Sequence, residues 1–292
     1  MTHHEHAATP TPGWRAFWRR GGWWKALLFV AGYLVIYEAA GWLLTSLFMG
    51  DGDGGKPLAS AQSVLVAIAA PLAVGAIVLL AFLRSARWPA STFTRQPING
   101  RWWMWCAVGL ARIPILLRLF GIDYGAFSPG VVPAMFLAGL LVGFTEELVY
   151  RGIVVKLLRN AGHREVTVAV LSSLLFALSH SINAITGQPV ATVAVTVVYT
   201  FGFGILMYLA LRVTGSLVWP ILLHALTDPT TILATGGIDE NTLGTDNVFL
   251  SIAGPFSYVF VLAGLLALFF IRGRVTHADN PTGNSANHLQ GS

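Results

Sequence analysis

Eight apolar runs of roughly twenty residues each, separated by short segments rich in Gly, Pro, Asp and Asn, constrain this chain more than any other feature. Each is long enough to cross a hydrocarbon core of ~30 Å as a helix. They fall at about Lys25–Met49, Leu58–Leu83, Trp102–Phe120, Val131–Leu158, Val166–Ile185, Val190–Arg212, Ser216–Thr235 and Phe249–Ile271. The third is interrupted by Arg112, Pro114 and Arg118, which predicts a kinked helix. Only 11% of the 292 residues are charged and 55% are hydrophobic, whereas a soluble domain carries about 25% charged residues. The fold class expected is therefore all-α: a polytopic membrane bundle of about eight spanning helices in a multi-pass protein of the cell membrane, with lipid as its first partner.

Charge sets the orientation, because short cytoplasmic loops collect Lys and Arg. With the N-terminus inside, one side holds Arg15, Arg19, Arg20 and Lys25, then Arg84, Arg87, Arg95 and Arg101, then Lys156, Arg159 and Arg164, then Arg212, Arg272 and Arg274. The other side holds Lys56 alone, so fourteen cations stand against one and both ends are expected to be cytoplasmic. The net charge of +5 follows from this asymmetry, and no soluble segment is long enough to form a nucleic-acid-binding face. Residues 1–24 read as a polar cytoplasmic segment, 25–274 as one transmembrane domain with its motif core at 131–235, and 275–292 as a disordered cytoplasmic tail. The single cysteine, Cys106, excludes an intrachain disulfide and reads as a packing residue.

Against this apolar background, Phe144-Thr145-Glu146-Glu147-Leu148-Val149-Tyr150-Arg151 is expensive. A charge at the centre of a spanning helix costs roughly 2.5–3.5 kcal/mol, so such groups persist where they face a bundle interior and find partners. Glu147 and Arg151 are i,i+4 neighbours, and Glu146 points about 100° away from Glu147. Helical rise places Glu146 roughly 18 Å from its cytoplasmic end, His180 roughly 21 Å, His224 roughly 13 Å and Asp228 roughly 18 Å. Three helices can thus aim Glu146, Glu147, His180, His224 and Asp228 at one cavity. Elsewhere, Glu38 and Arg112 are expected to pair as structural glue, and Gly202 and Gly204 to permit close helix packing.

In order along the chain, Glu146-Glu147-x-x-x-Arg151, Phe176-x-x-x-His180 and His224-x-x-x-Asp228, on separate apolar helices, resemble the three-motif pattern of the CPBP family. These are the CAAX prenyl proteases and bacteriocin-processing intramembrane proteases, also called the Abi family. The resemblance implies peptide hydrolysis within the membrane or at its cytoplasmic side, on prenylated or other membrane-associated peptides. It makes Glu146 the base that activates a water with His180, His224 and Asp228 the groups that polarise the scissile carbonyl, and Arg151 the holder of Glu147, with Phe176 in support. Family members frequently carry Asn where Asp228 stands, and an ionised Asp cannot donate to an oxyanion. Asp228 is then protonated, orients His224 or helps bind a metal. Glu146, His180 and His224 also form a chemically reasonable set for a divalent metal such as Zn, although the His-Glu-x-x-His signature is absent; both readings stay open. Two rivals from other classes are a non-catalytic scaffold or bacteriocin-immunity protein of the same fold, and a proton- or ion-coupled transporter.

Overall fold

The computed structural model describes residues 13–49, 58–88, 92–185, 187–237 and 247–275. Among these there is no β-strand; the only β-type pairing is an isolated bridge between Arg164 and Arg274. The expected tail after 275, the histidines at 3, 4 and 6, and the acids Asp51, Asp53, Asp239, Glu240 and Asp246 lie outside the described residues.

A short helix α1, Gly13–Arg19, precedes the first span, so the segment expected to be merely polar carries structure from Gly13 onward. Trp18 anchors it by edge contacts to Phe17, Phe29 and Phe82. Gly21 then turns the chain at φ 66°, where an added Cβ would lie 2.1 Å from the carbonyl oxygen of Leu157. Seven helices long and apolar enough to cross a membrane follow: α2 Trp23–Phe48, α3 Ala61–Ala86, α4 Trp102–Gly121, α5 Val131–Asn160, α6 Glu165–Ala184, α7 Val190–Thr214 and α9 Val248–Leu268. The eighth expected span is also helical, α8 at Val218–Thr235. Two prolines, His224 and Asp228 lower its hydropathy below that of its neighbours while leaving it inside the bundle. The chain is an integral, multi-pass membrane protein.

Close approaches hold the inner helices. Cβ atoms at Gly139 and Gly143 of α5 would meet Pro229 at 2.6 Å and the Ile221 carbonyl at 2.5 Å, so the backbones of α5 and α8 touch where the motifs lie. Gly202 of α7 sits against the backbone of Phe260 and Val261 in α9 in the same way, and small residues at such seams are how helices pack in lipid. Within α5 the regular helix gives way to a π-helical stretch at Leu148–Val154, directly after Glu147, and such stretches occur frequently at functional sites.

The arginine-rich segments meet at one end of the bundle. Glu165, wholly buried, accepts from Arg159 at 2.9 and 2.8 Å, from Arg212 at 3.0 Å and from the Tyr208 hydroxyl. Arg159 reaches Gln96, Arg212 reaches the Asn99 carbonyl, and Asn160 donates to the Arg19 carbonyl. At the opposite end Gln62 donates to the Phe48 carbonyl and Asn247 to that of Gly121.

Candidate active site

Glu147 is buried to zero exposure and accepts two hydrogen bonds on one oxygen, Oε1: from Arg151 Nη1 at 3.0 Å and from His224 Nδ1 at 2.8 Å. A buried ion pair gains from having its remaining donors satisfied. Arg151 meets this in part, donating from Nη2 to the Gly204 carbonyl at 3.0 Å and resting its guanidinium 4.6 Å from the centre of the Phe176 ring, while its Nε and Glu147 Oε2 have no hydrogen-bond partner among the described residues. Gly204 is there for space as well, because a Cβ would come within 2.9 Å of Ser173 and 3.1 Å of Arg151 Nη2. The packing role expected of Gly202 and Gly204 is thus observed, and Gly204 adds a carbonyl that residue type alone does not advertise.

With Nδ1 committed to Glu147, His224 turns Nε2 toward the other two acids. It lies 3.7 Å from Glu146 Oε2 and 3.4 Å from Asp228 Oδ2. His180 spends Nδ1 on the Phe176 carbonyl at 2.9 Å, which leaves its Nε2 for the cavity. Phe176 is the hub of the packing, its ring 5.1 Å from Tyr150, 5.0 Å from His180 and 5.7 Å from His224. Every residue singled out by the three motifs is therefore in one cluster, contributed by α5, α6 and α8, with α7 supplying Gly204 beneath it.

Glu146, His180 and Asp228 line a cavity of about 630 Å³. Its walls include Thr45, Ile68, Met135, Asn183, Val195 and Thr231, all nearer the helix ends away from the arginine-rich end. On that other side the space is filled by Val149, Ile153, Val154, Leu157 and Leu158, all fully or almost fully buried. The cavity thus runs from mid-bundle toward the end opposite the arginines. The expected placement of the chemistry at the cytoplasmic side rests on the orientation read from charge, under which this end of the bundle would face away from the cytoplasm.

Three further expectations change. Glu38 and Arg112 do not pair: Glu38 lines the cavity, Arg112 is exposed, and the arginine that shares the cavity with Glu38 is Arg118. Cys106 is exposed rather than packed inside. The metal reading for Glu146, His180 and His224 is not supported, since no group of three or more His, Cys, Asp or Glu among the described residues has the arrangement to hold an ion.

No curated protein matches the chain. A family model described as type II CAAX prenyl endopeptidase, Rce1-like, matches residues 128–230, which run from just before α5 through Asp228 of α8 and contain all three motifs. That stretch, holding the buried acids, the two histidines and the helices that bring them together, is a domain of the Rce1-like type II CAAX prenyl endopeptidase family.

Proposed function

We propose that the protein is an intramembrane endopeptidase that hydrolyses a peptide bond of a membrane-associated peptide with a water activated by Glu146 and His180. One observation carries the reading: Glu146, which lines a cavity large enough for a peptide segment beside His180 and Asp228, has its Oε2 3.7 Å from His224 Nε2 just behind the wall. Glu146 is a quarter exposed and lines the cavity, while its Oε2 is buried with no hydrogen-bond partner among the described residues. A carboxylate so placed is a base awaiting a water.

The division of labour follows from the hydrogen bonds. Glu146 takes the proton of the attacking water, with His180 Nε2 as the second acceptor on the same wall. His224, held by Glu147 through Nδ1, directs a protonated Nε2 at the carbonyl oxygen as charge develops there, the placement that oxyanion stabilisation demands. Asp228 orients that imidazole in this reading, supported by its Oδ2 lying 3.4 Å from Nε2, and a positioning role does not require it to donate. Arg151 and Gly204 fix Glu147, which holds Nδ1–H of His224, so the ring that serves the oxyanion through Nε2–H is the doubly protonated one. Peptides presented from the non-cytoplasmic side fit the cavity mouth.

Purified protein in nanodiscs, given a palmitoylated, fluorescence-quenched peptide library with and without EDTA, tests the reading. Cleavage that resists the chelator is expected. An uncleaved library together with ion flux in proteoliposomes supports the transporter reading, and a Glu146→Gln chain with its full cellular effect supports the scaffold.

A further inference from the structure

Four arginines are buried among the described residues: Arg118, Arg151, Arg159 and Arg212. Arg151 holds Glu147, and Arg159 and Arg212 hold Glu165. Arg118 alone of the four holds no carboxylate. It lies in the last turn of α4, is 7% exposed, and its Nη1 has no hydrogen-bond partner. It also lines the same cavity as Glu146, His180 and Asp228.

Three carboxylates share that cavity with it, and none forms an ion pair with it among the described residues. Glu146 and Asp228 both turn toward His224 instead. Asp228 is near enough to act on the Arg118 charge but does not bond it; a buried guanidinium with no bonded carboxylate offers a fork of donors to an anion, and its planar geometry matches a carboxylate through two parallel hydrogen bonds. Arg118 and Glu146 line one cavity of about 630 Å³, so an anion seated at the arginine would bring the peptide attached to it into the space that the acid lines.

We propose that Arg118 is a specificity-determining residue that docks the free C-terminal carboxylate of the substrate peptide. The identity of the ligand rests on the peptidase reading; the anion site itself does not.

The test uses the full chain in phosphatidylcholine nanodiscs and one probe, N-palmitoyl trileucine, as the free acid and as the C-terminal amide. Native protein is expected to bind the acid at least about 10-fold more tightly than the amide, the scale of a charge-assisted hydrogen bond. Arg118→Gln levels the two by weakening the acid alone, and Arg118→Lys retains part of the preference. Equal binding of acid and amide by the native protein overturns the proposal, as does an Arg118→Gln chain that loses both probes alike, the result for an arginine that only caps its helix. Displacement of the acid by phosphatidylglycerol added to the nanodisc assigns the site to a lipid headgroup and overturns the peptide assignment. The quenched library, made with both kinds of end, separates the two readings. Selective binding without cleavage retains the anion site and discards the peptidase, whereas cleavage without preference for the acid does the reverse.

Discussion

Glu147 Oε1 is shared by Arg151 at 3.0 Å and His224 at 2.8 Å, so removing Glu147 strands both partners, and removing Arg151 leaves the buried carboxylate with His224 alone. Breaking a buried ion pair from one side costs about 3–5 kcal/mol. Arg151→Ala is therefore expected to lower the melting temperature, followed by intrinsic tryptophan fluorescence in detergent, and to abolish cleavage. Joining it to Glu147→Met recovers part of the stability, because no lone charge remains, yet leaves cleavage absent because His224 has lost its Nδ1 acceptor. Recovery of both would show that the pair is scaffolding alone. The motif residues were legible in the sequence because a charge in a spanning helix is rare enough to demand an explanation. Gly204 as an acceptor was not, since every residue has a carbonyl and only the folded chain shows which one Arg151 meets. Nor was Arg118: it and Arg112 lie on opposite sides of Pro114, and the face each presents depends on the path of the helix through that proline.

At the scale of elements, the site depends on the seam between α5 and α8. A Cβ at Gly143 would lie 2.5 Å from the Ile221 carbonyl and 2.6 Å from the Ala225 nitrogen, both backbone atoms one turn or less from His224. Gly143→Val is expected to push the helices apart and reduce kcat/KM by at least about 100-fold, in line with the cost of misplacing a reacting group by an ångström. Gly109→Ala on α4, where a Cβ meets nothing within 4 Å, is the matched control and should leave the rate unchanged in the same peptide assay. Helix α8 was read from the sequence despite being the least apolar of the eight, because its polar residues recur at i,i+4 rather than scattering around the helix. Less accessible were the short helix α1, hidden in a segment whose charges masked Trp14 and Trp18, and the π-helical stretch of α5, which hydrophobic periodicity does not distinguish from an ordinary helix.

Over the whole molecule, cations gather at one end and the cavity opens toward the other. The count of fourteen Lys and Arg against one sets the orientation expected from sequence, but the direction of the cavity needed the packing of Val149 to Leu158 beneath Glu146. Glu165, which ties the arginine-rich end together, escaped attention because it sits at a predicted loop boundary where acids are ordinary. The orientation has its own test. In a Cys106→Ala background, Thr45→Cys on the cavity wall is expected to react with a membrane-impermeant maleimide added outside intact cells; reaction only in inside-out vesicles would reverse the assignment.

The account stands most heavily on Glu146 as the base. The most direct measurement is kcat for a cleaved peptide, native chain against Glu146→Gln, with the melting temperatures of the two matched to show that the bundle is intact. General-base removal predicts a fall of about 10²–10⁴-fold in kcat with little change in KM, whereas a variant that turns over at the native rate would contradict the proposed chemistry.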